Sequence, residues 1–271
     1  MKSITSTIKG FFDNKCYNFG LALSGGGAKG FAHLGTLLAL QKFGLRPDIL
    51  SGVSAGSIVA TMYAAGLTPM EIVDCFSAYD GFKDFTAITV PRSGFFKLDK
   101  FAKILSSWLP VSKLEDLEIP TIVCATDIEK GRSVGWCRGE IAARVIASCS
   151  MPMIFTPVGI EGVKYVDGGV LRNLPAWAIR DKCRVLLGSN CSPLGADYKF
   201  RNSIYALAWR SYNLMSKSNT LQDSLLCDFV IRHKAIAHVN TFDMKNLRNI
   251  VLRGYEASCP LIEEMLKSKS L

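Results

Sequence analysis

The stretch Gly52-Val53-Ser54-Ala55-Gly56 decides how this sequence folds, because it places a serine between a short strand and a helix. Residues 48–51 predict the strand, and residues 54–65 predict a buried helix. In that context a Gly-x-Ser-x-Gly motif forms a sharp turn that exposes the serine hydroxyl. The helix N-terminus also favours negative charge that develops beside it. Ser54 is therefore a candidate nucleophile, although a plain Gly/Ser turn capping a helix has the same sequence.

A second glycine-rich block, Gly25-Gly26-Gly27-Ala28-Lys29-Gly30, lies between a strand predicted at residues 17–23 and a helix predicted at residues 30–43. Successive glycines leave backbone N–H groups free to converge on an anion, and in an acyl-transfer enzyme such groups form an oxyanion hole. The same glycines also fit Gly-x-Gly-x-x-Gly, with Asp48 about 20 residues further on, as in a dinucleotide-binding fold. The block alone does not separate the two interpretations.

A serine nucleophile needs a base, and the sequence offers three histidines and one well-placed aspartate. His33 is typical of a packed helix residue. His233 and His238 follow Asp167, so the chain order of an α/β-hydrolase triad is formally met, but that fold places several strands before its serine. Asp167 ends a predicted strand before two glycines, where a carboxylate can act as a general base. An Asx turn is the structural alternative for this aspartate.

Three blocks together, in this order, resemble the patatin-like phospholipase family. Residues 23–30 are similar to its glycine-rich oxyanion block, residues 52–56 to its nucleophile elbow, and residues 167–169 to its Asp-Gly-Gly block. Two further stretches, residues 125–127 and 150–158, are also similar. The resemblance covers roughly residues 17–191, and residues 192–271 match no motif of the family.

The resemblance implies a three-layer α/β/α fold with a mostly parallel central sheet, and a Ser–Asp dyad without histidine. Ser54 would attack the acyl carbonyl of a phospholipid or lysophospholipid while Asp167 accepts its proton. The resemblance also implies that no metal or other cofactor is needed. Lys29 would meet a lipid phosphate or lie in solvent. The oxyanion would be held by backbone N–H groups drawn from Gly25, Gly26, Gly27 and Ala28.

Composition limits the class of protein and its partners. The 271 residues are 49% hydrophobic and 20% charged, which excludes a disordered chain. The net charge of +9 favours acidic partners, but no nucleic-acid motif occurs, so we expect lipid and no nucleic acid. We expect reduced cysteines and a cytoplasmic protein that contacts membranes peripherally. Phenylalanines and cations in residues 80–97 are candidates for a docking edge, with inward packing as the alternative.

We expect a short arm at residues 1–16, a catalytic core at 17–191, and a mostly helical part at 192–271 packed on the same domain. The function predicted is a serine acyl hydrolase that cleaves lipid esters through an acyl-serine intermediate. An acyltransferase or generalist carboxylesterase uses the same groups and stays open. A non-catalytic lipid- or protein-binding module is the alternative from another class. The sequence does not predict an oligomeric state.

Overall fold

The computed structural model describes residues 15–79, 82–88, 94–193 and 202–268. No helix in these ranges combines the length and apolarity that a membrane crossing requires. The described strands, labelled β1 to β10 in chain order, are Tyr17–Leu23, Ile49–Val53, Ala87–Ile88, Phe96–Lys97, Thr121–Asp127, Arg132–Trp136, Val158–Ile160, Val163–Asp167, Cys183–Asn190 and Phe229–Arg232. The described α-helices, labelled α1 to α7, are Ala32–Lys42, Ala55–Ala64, Pro69–Ser77, Asp99–Trp108, Ile141–Cys149, Ile204–Ser224 and Leu247–Lys267.

One eight-stranded sheet organises the chain, in the order β10-β9-β1-β2-β5-β8-β7, with β6 also paired to β5. The run from β10 to β5 is parallel, whereas β6, β7 and β8 pair in antiparallel fashion. A tight turn through Gly131, at φ 60°, returns β6 directly onto β5. The α/β prediction is confirmed, and the sheet is mixed because short turns connect β5 to β6 and β7 to β8.

Both faces of the sheet are covered. One face carries the larger core, to which α1 through α5 and α7 contribute buried side chains. Helices α1 and α7 pack with backbone in contact, because a Cβ on Gly35 would meet the Val251 carbonyl and one on Gly254 would meet the Ala32 carbonyl. The other face carries a smaller core under the 3₁₀ helix Pro175–Ala178 and the residues that follow α6. The layering places the carboxyl ends of the parallel strands at one open edge.

Several predicted elements differ from the structure in their bounds. The capping box that Thr68 and Glu71 predict for α3 is confirmed. The sequence pattern predicts a helix at residues 175–181 and a strand at residues 154–160. The structure has the 3₁₀ helix Pro175–Ala178 in place of the first, and the strand begins at Val158. A turn precedes that strand, in which Met153 has a φ of 69°. Helix α7 begins seven residues before the predicted position 254, at Leu247, and runs through Pro260.

Candidate active site

Ser54 and Asp167 meet where two strands share one edge of β5. Strand β2 pairs with β5 as far as Val53 opposite Cys124, and β8 follows on with Asp167 opposite Ala125. The two strands run toward each other, since β2 is parallel to β5 and β8 is antiparallel. Ser54 directly follows the end of β2, so the register brings together two residues that lie 113 positions apart in the sequence.

Ser54 occupies a strained turn between β2 and α2. Its φ of 52° and ψ of −126° lie in a region that non-glycine residues rarely adopt, and such strain is held by the surroundings at functional sites. The Ser54 N–H donates to Ser148 Oγ at 2.8 Å, and Ser148 Oγ donates in turn to the Cys124 carbonyl at 2.6 Å. The Ser57 hydroxyl donates to the Ser54 carbonyl at 2.6 Å. The backbone bonds fix the turn and leave the Ser54 hydroxyl outside this network.

Asp167 is a buried carboxyl in which only one of the two oxygens accepts a hydrogen bond of standard geometry. Its Oδ1 accepts the Gly169 N–H at 2.8 Å. Its Oδ2 is buried and accepts no hydrogen bond of standard geometry from the part of the chain that the structure describes. Burial raises the pKa of Asp167 to about 6, although the Gly169 N–H and the nearby hydroxyls of Ser54 and Tyr212 oppose that rise. The group is therefore ionised at neutral pH and able to accept a proton.

Two of the four backbone N–H groups predicted for an oxyanion hole are already hydrogen-bonded within the chain. The Gly25 N–H donates to the Asn173 carbonyl at 3.1 Å, and the Ala28 N–H donates to the Thr241 carbonyl at 2.8 Å. Both N–H groups are therefore unavailable to an anion. Gly26 and Gly27 lie between them, at the start of a 3₁₀ turn, and their N–H groups donate to no described residue. The N–H groups available to an anion in this block are those of Gly26 and Gly27.

Lys29 is buried beside a second lysine that carries no family motif. Lys29 is 6% exposed and Lys217, from α6, is 9% exposed. Burial lowers the pKa of Lys29, and burial together with Lys29 and Arg210 lowers the pKa of Lys217. Neither lysine forms an ion pair with a carboxylate within the described ranges. Two buried cations without a carboxylate partner form a region that favours an anion.

Two cavities adjoin Ser54 and have opposite character. Thr241 lines both of them, as do Gly27 and Met151. The apolar cavity is otherwise lined mainly by hydrophobic side chains, among them Ile58, Val59, Ile72, Phe76, Phe85, Leu98, Phe101, Phe155 and Met244. The polar cavity holds Asp167 and Lys29, together with Asn173, Ser192, Trp209, Tyr212, Asn213 and Ser216.

The histidine and dinucleotide alternatives find no support in the geometry. His33 and His233 are buried behind the glycine block, where both approach Ser189 Oγ, at 2.8 and 2.9 Å. His238 is exposed and lines a separate surface pocket. Asp48 accepts two N–H groups at the start of β1, at the opposite end of the sheet from the glycine block. The described residues contain no group of three or more potential metal ligands.

Helix α6 contributes more to this site than its sequence predicts. The spacing of Tyr205, Trp209 and Tyr212 is typical of a core stripe, with a cover over the acyl pocket as the alternative, and the structure places Trp209 and Tyr212 on the wall of the polar cavity. The helix is fastened to the loop after Asp167 by a two-pronged ion pair between Arg172 and Asp223, with N···O distances of 2.8 and 2.6 Å. Asn219 adds a hydrogen bond to the Gly169 carbonyl at 3.0 Å. These bonds place Tyr212 against Asp167. No motif marks Arg172, Asn219 or Asp223, whose contacts fasten the helix.

Comparison with known proteins gives a consistent family. A model described as patatin-like phospholipase matches residues 21–179. An uncharacterised NTE family protein of Mycobacterium tuberculosis (strain H37Rv) is 32% identical over 163 residues, which are 57% of this chain and 43% of that protein. Lysophospholipase NTE1 of Cryptococcus neoformans is 29% identical over 167 residues, 60% of this chain and 10% of its own. The chain spans less than half the length of these curated relatives.

Solved structures share the fold at low sequence identity. VipD from Legionella pneumophila superposes with a TM-score of 0.54 at 17% identity, covering 92% of this chain and 67% of VipD. Human GIVD cytosolic phospholipase A2 superposes with a TM-score of 0.50 at 13% identity, covering 94% and 59%. Both alignments extend well beyond residues 21–179, so they include elements for which the sequence carries no motif.

Proposed function

Because the chain belongs to the patatin-like phospholipase family, we propose that it is a lipid acyl hydrolase in which Ser54 is the nucleophile and Asp167 the base. One observation carries the proposal: the register of β2 and β8 on β5 sets the strained Ser54 beside a buried carboxyl, and the Oδ2 of that carboxyl accepts no hydrogen bond of standard geometry from a described residue. The substrates proposed are phospholipids or lysophospholipids.

In the first step, Asp167 accepts the proton of the Ser54 hydroxyl as Oγ attacks the acyl carbonyl carbon of the ester. The N–H groups of Gly26 and Gly27 donate to the carbonyl oxygen as it becomes negative, which is where preorganised donors lower the barrier most. The C–O bond to the alcohol then breaks, and the alcohol leaves with the proton that Asp167 had taken. The acyl group remains as an ester on Ser54.

In the second step, Asp167 accepts a proton from water as the water oxygen attacks the acyl-Ser54 carbonyl. The Ser54 Oγ leaves and regains that proton from Asp167, and the fatty acid is released. The same carboxyl thus acts as base and then as acid in each half-reaction. The pKa of about 6 suits both tasks near neutral pH, and burial is its main cause.

The two cavities provide separate places for the two ends of such a substrate. The apolar cavity suits an acyl chain, because it is lined almost entirely by hydrophobic side chains. The polar cavity suits the glycerol and headgroup side, where Lys29 is available to a phosphate and Lys217 adds positive potential. Both cavities reach Ser54, so the scissile ester lies between them.

The test is hydrolysis of lysophosphatidylcholine, phosphatidylcholine and a neutral chromogenic ester by the wild type and by Ser54→Ala. The proposal predicts fatty acid release from all three by the wild type and none from the variant. A fluorophosphonate probe should label the wild type at Ser54 and leave Ser54→Ala unlabelled. Ser77→Ala is the matched control, since Ser77 lies on α3 and its hydroxyl donates only to the Val73 carbonyl. A wild type that neither labels nor releases fatty acid would favour a binding module.

A further inference from the structure

Helix α6 exposes a row of large apolar side chains on the side away from the sheet. The two end positions, Ile204 and Leu225, are 88% and 87% exposed, and the others are 43–56% exposed. At 3.6 residues per turn all six fall within a sector of about 120°. We call this the outer stripe of α6, and it consists of Ile204, Leu207, Leu214, Met215, Leu221 and Leu225.

The outer stripe carries no charge. The exposed residues between its members are Ser211, Ser218 and Gln222, which are uncharged. The only acidic residue of α6, Asp223, is fully buried and paired with Arg172. Lys217 is buried near Lys29, so it does not belong to the outer surface, and α6 has no acidic residue there. A neutral apolar ridge on a chain whose net charge is +9 fits an interfacial helix on an anionic bilayer.

The inner face of the same helix lines the polar cavity. Trp209, Tyr212, Asn213 and Ser216 lie on that wall, and Tyr212 approaches Asp167. The stripe and the cavity are thus two sides of one helix. Of the phenylalanines predicted for a docking edge in residues 80–97, Phe85 is 3% exposed and packs against Phe76 and Phe101, whereas Phe95 is 47% exposed. The side chain of Phe82 lies outside the described residues.

We propose that the outer stripe of α6 is the surface by which the protein docks on anionic lipid bilayers. A bilayer accommodates a convex apolar ridge, whereas a protein partner would need a groove shaped to it. Docking through α6 would set the polar cavity, one helix thickness away, against the lipid headgroups. That the docking partner is a lipid bilayer rests on the proposed function, but binding to vesicles can be measured without ester hydrolysis.

The test is co-sedimentation of the full chain with vesicles of phosphatidylcholine, with and without phosphatidylserine. The Ser54→Ala background prevents hydrolysis during the measurement. The vesicle partition coefficient of Leu207→Ser/Leu221→Ser/Leu225→Ser should be lower by at least about tenfold, because each substitution removes apolar area that the bilayer would bury. The matched control is Met70→Ser/Leu252→Ser/Leu266→Ser, which alters three exposed apolar residues elsewhere and should bind as the parent does.

A second variant guards against misfolding. Ile204→Glu/Leu225→Glu changes the two most exposed positions, where no packing is lost, and should also abolish binding to anionic vesicles. In the active background this variant should hydrolyse a soluble monomeric ester at the wild-type rate. Wild-type partitioning by both stripe variants would overturn the proposal. A wild-type dimer that the stripe variants convert to monomers would overturn it in favour of a second copy.

These measurements separate the docking surface from the catalytic proposal. Stripe-dependent binding by a chain that hydrolyses no ester would leave the docking surface standing and would refute the proposed function. Ester hydrolysis by a chain that binds no vesicle would support the proposed function and refute the docking surface. Binding that ignores phosphatidylserine would overturn the preference for anionic bilayers.

Discussion

Two buried polar clusters lie on opposite sides of the glycine block, and they differ in what they open onto. The front cluster, Ser54 and Asp167, lines the cavities. The rear cluster consists of His33, Ser189 and His233, none of which lines either cavity in the described structure. Both clusters contain a buried atom without a partner, Asp167 Oδ2 in front and His233 Nδ1 behind. An unpartnered atom therefore does not by itself mark a catalytic group.

The rear cluster is a chain of hydrogen bonds that stabilises the glycine block. His33 Nε2 donates to the Ser24 carbonyl at 2.8 Å, and its Nδ1 is hydrogen-bonded to Ser189 Oγ at 2.8 Å. Ser189 Oγ is also hydrogen-bonded to His233 Nε2, at 2.9 Å. Burial lowers the pKa of His233 to about 3, with His33 adding to the effect, which keeps the ring neutral. Access to a cavity, rather than burial or an unpartnered atom, is what distinguishes Asp167 from the two histidines.

The largest expected effect comes from the front cluster. Ser54→Ala should lower kcat by about 10⁴-fold, and adding Asp167→Asn should cost little more, because a nucleophile and its base act as one unit. Measurement of fatty acid release by the two single variants and the double variant tests this. A double variant far slower than Ser54→Ala would mean that Asp167 works independently of Ser54.

The next effect lies between the clusters, in the glycine block itself. A Cβ on Gly26 would collide with Cys191 Sγ and approach Ser192 Oγ to 2.8 Å, so Gly26→Ala should displace the oxyanion donors. Loss of one such donor lowers kcat by about 10²- to 10³-fold. Gly159→Ala is the control, because its Cβ would meet only the flexible end of Lys164. A larger effect on KM than on kcat would contradict an oxyanion role.

The pH dependence of kcat/KM shows whether Asp167 or His233 is the group whose titration controls activity. Asp167 must be ionised to accept a proton, and its raised pKa of about 6 means that it protonates as the pH falls through that value. Activity on a neutral ester should therefore fall about tenfold per pH unit below this midpoint and level off above it. The acid limb should persist in His233→Gln. A limb that disappears in that variant would move the titrating group to the rear cluster.

The smallest expected effect concerns Lys29 and the phosphate of the substrate headgroup. Lys29→Met should raise KM for a lysophospholipid by about tenfold, since a charge-assisted contact is worth about 1.5–3 kcal/mol. The neutral chromogenic ester should be turned over within about twofold of the wild type, because it offers no phosphate to either lysine. Equal losses on both substrates would show that Lys29 shapes the glycine block rather than binding phosphate.

The motif-bearing half of the site was predictable from the sequence, because each motif sits on local structure. Strand β1, the turn at Ser54 and the carboxyl end of β8 follow from glycine positions and apolar runs that act over a few residues. The meeting of Ser54 with Asp167 depends on register along β5, which no local pattern encodes. The resemblance to the family supplied that pairing in advance.

The remaining site residues depend on contacts between distant parts of the chain. Asn173 and Thr241 engage Gly25 and Ala28, which the sequence offered as free donors. Tyr212 lines the polar cavity, and Lys217 lies near Lys29, because Arg172 and Asp223 fasten α6 there. Such tertiary partners have no spacing signature, and the aromatic spacing in α6 is as typical of a core helix as of a cavity wall.

The most direct test of the account compares Asp167→Asn with His233→Gln/His238→Gln in one assay of kcat/KM on a soluble ester. Glutamine at position 233 retains a donor near Nε2, so the rear cluster keeps its bond to Ser189 without an ionisable ring. The account predicts a loss of about 10²- to 10⁴-fold for Asp167→Asn, the range for a missing general base, and activity within about threefold of wild type for the histidine variant. A histidine variant that loses activity while Asp167→Asn retains it would contradict the Ser–Asp dyad.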